Sequence, residues 1–210
     1  MSGLEHRGNS AMRLGNTKTR ALEEARKLLQ EVGYNGFSFQ HLADTLHIKK
    51  QSLYVHFKSK EDLGVCLIEE HRLSFAEWAK TIDIFAPDAQ IGAIFEVCYE
   101  FSIDSRKICP LSAVGADLNS LPPGMQSALT RLYTSRFLWL INIIEKGQKA
   151  DVFRIDKSST ELTQFVLAAV LGAQLSARIS GVPEQIRAIK QQTLDFLMTA
   201  TTEASQRKQK

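Results

Sequence analysis

The sequence predicts an all-α protein, with a three-helix amino-terminal head on a helical body and about nine helices in all. Apolar residues recur at spacings of three and four along most of the chain, which is the period of an amphipathic α-helix. Ser, Thr and Pro stand where these stretches begin, and Gly33 ends the first of them. No stretch alternates apolar and polar residues between turn residues, as a half-buried strand does. We predict an arm over residues 1–16, a head over 17–62 and a body over 63–210.

The composition is that of a soluble globular protein. Of the 210 residues, 44% are hydrophobic and 23% are charged, and a chain of this length buries enough surface to fold without a disulfide or a metal. The three cysteines, Cys66, Cys98 and Cys109, lack metal-ligand spacing and cannot all pair, which favours a reducing cytoplasm. No apolar run approaches a membrane span, and residues 1–20 lack the apolar stretch of a signal peptide. We therefore predict a cytoplasmic protein with no membrane partner.

The head is predicted as three helices after a flexible arm. The first helix begins at about Thr17 and ends at Gly33. Its inward face carries Leu22, Ala25, Leu28, Leu29 and Val32. Ser38 caps a short second helix that ends near Leu46, and a third covers about residues 49–55. Helices this short are not stable alone, so we expect both to pack on the first.

The body is predicted as six helices, each with its own start signal. Ser59 caps the long fourth helix, and Glu61 and Asp62 lie at the positive end of its dipole. Its apolar face is Leu63, Leu67, His71, Phe75, Trp78 and Ile82. The other five begin, in order, at Pro87, after Cys109, at the Pro122 and Pro123 pair, at Ser158 or Ser159, and at Pro183. The seventh helix reaches about Gly147 and is apolar on nearly every face over residues 137–144, which predicts a buried central helix.

Positive charge is concentrated in the head. Residues 1–60 carry ten Lys and Arg against five acidic residues, a net charge of +5, whereas residues 61–210 carry a net charge of −2. A basic head on a nearly neutral body indicates a polyanionic partner for the head alone.

The third helix has the residue types of a DNA-reading helix, with polar and basic side chains on an element that a few apolar residues anchor. Leu53 and Phe57 lie four residues apart and anchor inward with Ile48. The residues that remain to face outward or sideways are Lys49, Lys50, Gln51, Ser52, Tyr54 and His56. Lysines and hydroxyl groups bind phosphates, and Gln and Lys reach base edges in the major groove. From chemistry alone, a solvated surface helix fits these residues about as well.

A dense motif runs through the third helix into the fourth. Residues 52–63 read Ser-Leu-Tyr-Val-His-Phe-Lys-Ser-Lys-Glu-Asp-Leu. Matching positions before this run are Ala25, Leu28, Leu29, Gly33, Tyr34, Phe37, Ser38, Phe39, Leu42, Ala43 and Ile48. Together these residues resemble the amino-terminal domain of the TetR family of bacterial transcriptional regulators. The chain length, the helical body and the position of the motif agree with the plan of that family.

The resemblance implies a role for each matching residue of the helix-turn-helix. Positions that commonly bind backbone phosphate are matched by Lys50, Tyr54, Lys60 and, as a further contact, His56. Positions that face the bases are matched by Lys49, Gln51 and Ser52. The family often has Ser, Lys and Gly or Ala where this chain has Lys49, Lys50 and Gln51. Because these are specificity positions, the resemblance implies the fold but not the operator sequence. Arg7 and Arg13 of the arm either enter a minor groove or belong to a disordered tail.

The body of such regulators binds an effector. Candidate pocket residues are His71, Phe75, Trp78, Cys98, Phe101, Cys109, Tyr133, Arg136, Phe137 and Phe165. Arg136 and Asn142 interrupt the most apolar helix, and a buried Arg136 needs an anionic partner, either Glu96 or Glu100 or an acidic ligand. We expect a mostly apolar cavity with one or two polar anchors that admits a small hydrophobic or aromatic molecule. Under one form of this hypothesis the molecule carries a negative charge.

Cys109 has two interpretations. It follows Arg106 and Lys107 near a helix start, and both features favour the thiolate of an electrophile or oxidant sensor. The alternative, which we favour, is a small buried apolar residue.

The last two helices have a pattern that predicts dimerisation. Helix eight carries small side chains at intervals of four, Ala168, Gly172, Ser176 and Ser180, with Ala169, Ala173 and Ala177 beside them. Helix nine offers the stripe Ile186, Ile189, Thr193, Phe196 and Leu197. In the family these helices form a four-helix bundle between two subunits; the alternative is packing within one subunit. We expect the dimer because two DNA half-sites require a two-fold protein.

We therefore predict a ligand-responsive transcriptional regulator, most commonly a repressor in this family. It binds a palindromic double-stranded DNA operator as a homodimer and is released by a small, largely apolar effector. The alternatives are a helical small-molecule carrier and a thiol-dependent enzyme that uses Cys109 with His71, both without DNA binding. The sequence contains no Gly-rich phosphate loop and no His-Glu-x-x-His motif. We predict that the chain is no enzyme, with no catalytic residues, no cofactor and no metal.

Overall fold

A computed structural model describes the backbone of residues 3–105 and 108–207 and the side chains of residues 16–103 and 108–198. Within those ranges the chain forms nine α-helices and one 3-10 helix and no strand, which confirms the all-α prediction. The α-helices are α1 (Gly3–Val32), α2 (Phe39–Leu46), α3 (Lys50–Tyr54), α4 (Lys60–Thr81), α5 (Pro87–Ser105), α6 (Pro110–Val114), α7 (Pro123–Lys149), α8 (Ser159–Ser180) and α9 (Glu184–Arg207). The 3-10 helix, Gly115–Ser120, links α6 to α7.

Serine caps begin three helices where the sequence predicts them. Ser38 Oγ, before α2, and Ser59 Oγ, before α4, each accept a hydrogen bond from the backbone amide three residues later, at 3.2 and 3.1 Å. Ser158 and Glu161 form a capping box at α8, in which each side chain accepts from the other residue's backbone amide. The caps satisfy amides that have no partner inside the helix, so each fixes where its helix starts.

The start of α1 differs from the prediction. The helix begins at Gly3 and not at Thr17, so it overlaps the predicted flexible arm over residues 1–16. The stretch before Thr17 contains no Pro, and a helix that has formed adds flanking residues at small cost. The side chains of Arg7 and Arg13 lie outside the described residues.

The end of α1 follows the prediction except at one side chain. Gly33 stops the helix in the left-handed conformation, with φ at +74°. Val32, predicted on the inward face, is 52% exposed. It lies in the last turn, where its side chain meets the backbone of Gly36 in the following turn and not the core.

Two apolar cores are present among the described residues. The first is built by the three head helices, α4, α6 and the beginning of α7, and it runs from Ala21 to Leu132. The second is built mainly by α5, α7, α8 and α9 around Phe95 and Phe153. Because the first core crosses residue 62, the predicted boundary between head and body does not coincide with a break in packing.

The surface of α7 shows that the prediction of a fully buried helix is wrong. Leu138 is 61% exposed, and Asn142 is also exposed. α7 packs against α4, α5 and α8, and these neighbours leave one side of the helix in solvent. The sequence pattern alone does not reveal which side lacks a neighbour.

α8 is long and apolar enough to cross a membrane by length and composition, with a mean hydropathy of 1.4. Thr163, Gln174 and Ser176 interrupt its apolar run without adding charge, which is why a search for unbroken apolar runs misses it. In the structure α8 packs against α5, α6, α7 and α9, and 44% of its apolar window is buried.

Candidate functional site

A tight turn joins α2 to α3. His47 adopts the left-handed conformation, with φ at +54°, which is uncommon for a residue other than Gly. Its amide donates to the carbonyl of Asp44 (3.1 Å), and the amide of Ile48 donates to the carbonyl of Ala43 (3.0 Å). These bonds close α2 and lead the chain directly into α3.

α3 is anchored on one side and open on the other. Leu53 and Phe57 are buried in the head core, and Ile48 packs at its edge, as predicted. The predicted base-facing residues Lys49 and Gln51 are exposed, together with Lys50, and Ser52 is half-buried. The outward surface is therefore basic and rich in hydrogen-bond donors, as a helix that enters a DNA groove requires.

The ring of Tyr54 is held by a neighbouring aromatic residue and is also exposed to solvent. It is 51% exposed, and the edge of its ring meets the ring of Phe39 in α2, with centroids 5.2 Å apart. A phenol held in this way presents its hydroxyl to a partner without losing much side-chain freedom on binding.

His56 and Lys60, like Ser52, are half-buried. His56 Nε2 is buried and has no hydrogen-bond partner among the described residues. Lys60 Nζ lies 4.1 Å from the ring centroid of Tyr34 and 4.8 Å from that of Phe37, a cation–π contact at the start of α4. Burial lowers the pKa of Lys60. The phosphate contacts assigned to these two residues remain predictions.

A cavity of about 60 Å³ lies in the body and is enclosed by α1, α4, α5, α7, α8 and the start of α6; we call it the Arg136 cavity. Its lining comprises Gln30, His71, Phe75, Ile94, Val97, Cys98, Phe101, Cys109, Leu111, Arg136, Leu167, Val170, Leu171 and Gln174. Six of the ten predicted pocket residues are thus brought together. These six are His71, Phe75, Cys98, Phe101, Cys109 and Arg136.

The other four predicted pocket residues lie elsewhere. Trp78 stacks in an aromatic cluster with Phe75 and Trp139. Tyr133 and Phe137 stack on each other with centroids 6.4 Å apart, and Phe165 contacts Phe196 between α8 and α9. An aromatic residue at helical spacing falls on a face, and the face it occupies depends on neighbours that the sequence does not identify.

Arg136 is the dominant charged group of the cavity. It is only 4% exposed. Its Nη2 donates to His71 Nε2 (3.1 Å), and its guanidinium carbon lies 3.0 Å from the centroid of the Phe75 ring. Its Nη1 is buried and has no hydrogen-bond partner within the described part of the chain. Burial lowers the pKa of Arg136 to about 10, which still leaves the guanidinium charged at neutral pH.

Neither acidic side chain that we predicted as a partner reaches Arg136, so that part of the prediction is wrong. Glu96 faces α9, where it pairs with Arg187 (2.8 Å) and Lys190. Glu100 is exposed. Among the residues whose side chains are described, no ion pair includes Arg136.

His71 and Cys109, the pair of the enzyme alternative, do meet in the structure. Cys109 Sγ lies 3.4 Å from His71 Nε2, but Arg136 donates to the same nitrogen. Burial, with Arg136 and Arg26 nearby, lowers the pKa of His71 to about 3. Burial also raises the pKa of the Cys109 thiol, outweighing Arg136 and the amides at the start of α6, which supports the favoured interpretation of Cys109 as a buried apolar residue. A weak base beside an un-ionised thiol is poorly suited to nucleophilic catalysis.

Two glutamines in the cavity wall were absent from the sequence prediction. Gln174 is buried in α8, and its Oε1 accepts from the amide of Cys109 (2.9 Å). Gln30 is buried near the end of α1. A signal existed for Gln174, which lies within an apolar helical stretch, but Gln30 lies between Lys27 and Glu31 in a charged stretch that gives no such signal. In the described part of the chain, no group of three His, Cys, Asp or Glu side chains is arranged to hold a metal ion.

Comparisons with known proteins agree with this geometry. Residues 21–64 match the bacterial regulatory proteins of the tetR family. The HTH-type transcriptional repressor DhaR of Mycobacterium sp. (strain GP1) is 23% identical over 188 residues, which cover 88% of this chain and 93% of DhaR. The HTH-type transcriptional repressor NemR of Escherichia coli (strain K12) is 25% identical over 175 residues, or 79% of this chain and 85% of NemR. A crystal structure of a TetR-family regulator from Agrobacterium tumefaciens superposes with a TM-score of 0.84 at 23% identity, covering 88% of this chain and 99% of that one.

The head of this chain, over residues 21–64, is therefore a tetR-family domain, and the relatives support a DNA-binding regulator. The match ends inside α4, whereas the similarity of fold extends over the body. Except for Gln30, the residues that line the Arg136 cavity therefore lie beyond the matched residues, in the part that the family sequence pattern does not describe.

Proposed function

We propose that the chain is a transcriptional repressor that binds a palindromic operator as a homodimer and is released by a small effector bound in the Arg136 cavity. The observation that carries this proposal is the exposed basic face of α3, which Leu53 and Phe57 anchor in a TetR-family head. The named relatives DhaR and NemR are transcriptional repressors, which supports repression as the direction of control.

The outer face of α8 and α9 supports the homodimer. The small residues predicted to form a ridge, Ala168, Gly172, Ser176 and Ser180, are all exposed. Gly172 and Ser176 line a groove of about 420 Å³ between α8 and α9, and a side chain at Gly172 would meet no atom within 4 Å. Of the predicted α9 stripe, Ile186, Thr193 and Leu197 are buried within the chain itself, so the exposed face belongs mainly to α8. Ile179 and Leu175 add exposed apolar surface next to this ridge. An apolar face of this kind is typical of a helical interface between subunits.

The connections between the cavity and the head support control by an effector. α4 contributes His71 and Phe75 to the cavity, and Leu63 in its first turn packs in the core of the head. α1 contributes Gln30, whose carbonyl accepts from Arg178 of α8 (3.0 Å). A ligand that prefers one arrangement of these helices therefore shifts the spacing of the two α3 helices in the dimer.

The carrier and enzyme alternatives have less support. A carrier needs no exposed basic helix, and the chain keeps one. The short distance between Cys109 and His71 favours the enzyme alternative. The protonation states oppose it, because the pKa of the Cys109 thiol is raised and the pKa of the His71 imidazole is about 3.

Fluorescence anisotropy with duplex DNA from the gene's own upstream region tests the proposal. We expect saturable binding that outcompetes random DNA and weakens steeply as salt rises, because phosphate contacts release counterions. Tyr54→Ala removes a phosphate contact and is expected to weaken binding by about tenfold. Tyr133→Ala is the matched control, since Tyr133 is a similarly exposed tyrosine of the body. Weak, sequence-independent binding that both variants leave unchanged would contradict the proposal.

A further inference from the structure

We propose that the Arg136 cavity binds the carboxylate of a small organic acid through the guanidinium of Arg136. This inference rests on the proposed function only for its biological role as an effector site. The binding chemistry itself follows from the described residues.

The first argument is electrostatic. Arg136 is a charged group almost completely removed from solvent, and the ion pairs of the described residues do not include it. A buried cation without an anion is costly. The compensation among the described residues is partial, namely the Phe75 ring, the lone pair of a neutral His71 and the un-ionised thiol of Cys109. A carboxylate that enters the cavity supplies the missing negative charge.

The second argument concerns the unused hydrogen-bond donor. Nη1 of Arg136 is buried and has no hydrogen-bond partner among the side chains that the structure describes, although it belongs to a side chain that lines the cavity. Guanidinium and carboxylate groups match in geometry and form charge-assisted hydrogen bonds, which are stronger than neutral ones. An anion at this position therefore satisfies a donor and a charge at once.

The size and lining of the cavity define the class of acid. A volume of about 60 Å³ is small beside the several hundred cubic ångströms of ordinary ligand pockets, which suits a carboxylate with a tail of very few carbons. Ile94, Val97, Leu167 and Val170 give that tail apolar walls. Among the described lining residues, Arg136 is the single cationic side chain and His71 is neutral, so a monoanion fits better than a phosphate dianion.

His71 offers an independent signal of binding. Its pKa is held down by burial first and by the charge of Arg136 second. A carboxylate against Arg136 opposes that charge, so binding is expected to raise the pKa of His71. A neutral molecule of the same shape leaves it unchanged.

The test compares propionate with propionamide, which has nearly the same shape and no charge, at equal ionic strength in sodium chloride. Binding is followed by thermal stability and by the imidazole NMR resonances of His71. We expect propionate to bind at least tenfold more tightly than propionamide and to raise the pKa of His71. Arg136→Met should lower the affinity for propionate at least tenfold, whereas Arg131→Met, at an exposed arginine of the same helix, should leave it unchanged.

The outcomes separate this inference from the proposed function. Equal affinity for acid and amide, or propionate binding that survives in Arg136→Met, overturns the carboxylate site. Release of operator DNA is measured separately, so propionate binding without release upholds the site and argues against its role as an effector site. Met has a similar length and no charge, so Arg136→Met is expected to fold. If it does not fold, the comparison of propionate with propionamide in the unmodified protein, read at His71, decides the question.

Discussion

His71 and Arg136 illustrate how one buried residue sets the state of another. The guanidinium donates to Nε2 of His71, so that nitrogen carries no proton and the imidazole is neutral. A positive charge on His71 would face Arg136 across a hydrogen-bond distance and would also be poorly solvated. The packing of α4 against α7 therefore keeps the His71 imidazole neutral.

This arrangement predicts acid sensitivity. The pKa of His71 is about 3 in the folded protein and 6.5 in the unfolded chain, so only the unfolded chain takes up the proton between these values. Stability is therefore lost as pH falls below 6.5, by about 2 kcal/mol from pH 7 to pH 5. Urea unfolding at both pH values measures this loss. His71→Gln should lose about that much less over the same interval, and an identical loss in both proteins would contradict the assignment.

At the residue scale the sequence identifies Arg136 but not its surroundings. A lone arginine in the apolar stretch of α7 is visible in the sequence, as is its need for an anion. The choice between Glu96, Glu100 and a ligand is not visible, because it depends on the direction in which α5 turns its acidic side chains. In the structure Glu96 turns toward two cations of α9.

At the scale of elements, α4 and α7 are joined at their first turns. Glu61, at the start of α4, accepts a hydrogen bond at Oε1 from the amide of Gly124 at the start of α7 (2.7 Å). The carboxylate thereby caps α7 and lies at the positive end of its dipole. A β-carbon at Gly124 would approach Glu61 Oε1 to 2.7 Å, closer than side chains tolerate. The contact connects the DNA-binding head to the central helix of the body.

Gly124→Ala tests this junction. Alanine is the better helix former, yet we expect the variant to be less stable by about 1 kcal/mol, because the new methyl group displaces the capping carboxylate. Thermal or urea unfolding measures the change. Gly115→Ala is the control, since its added methyl group meets no atom within 4 Å, and it should be neutral or stabilising. The two substitutions Gly124→Ala and Glu61→Gln should cost less together than the sum of their separate effects.

The starts of the helices were more predictable from the sequence than the sides of the helices that face solvent. Ser38, Ser59 and Ser158 cap the helices that the sequence assigned to them, because capping is a local interaction within four residues. The exposed side of α7 escaped prediction, since exposure depends on which helices pack nearby. The start of α1 escaped for a different reason: no residue before Thr17 opposes extension strongly enough to stop the helix.

At the scale of the whole molecule, the exposed face of α8 and the exposed face of α3 lie on different parts of one chain. One is apolar and built from small residues, and the other is basic and polar. A two-fold assembly through the first face presents two copies of the second to a palindromic duplex. The proposed dimer and the proposed operator therefore depend on each other.

The most direct test of this account is the number of chains bound to one operator duplex, measured by native mass spectrometry. We predict two chains per duplex, and we expect Gly172→Arg to abolish that complex because a charge is placed in the small-residue face. Gly115→Arg adds the same charge at another open position and should leave the complex intact. A single chain on the duplex, or a two-chain complex that survives Gly172→Arg, would contradict the account.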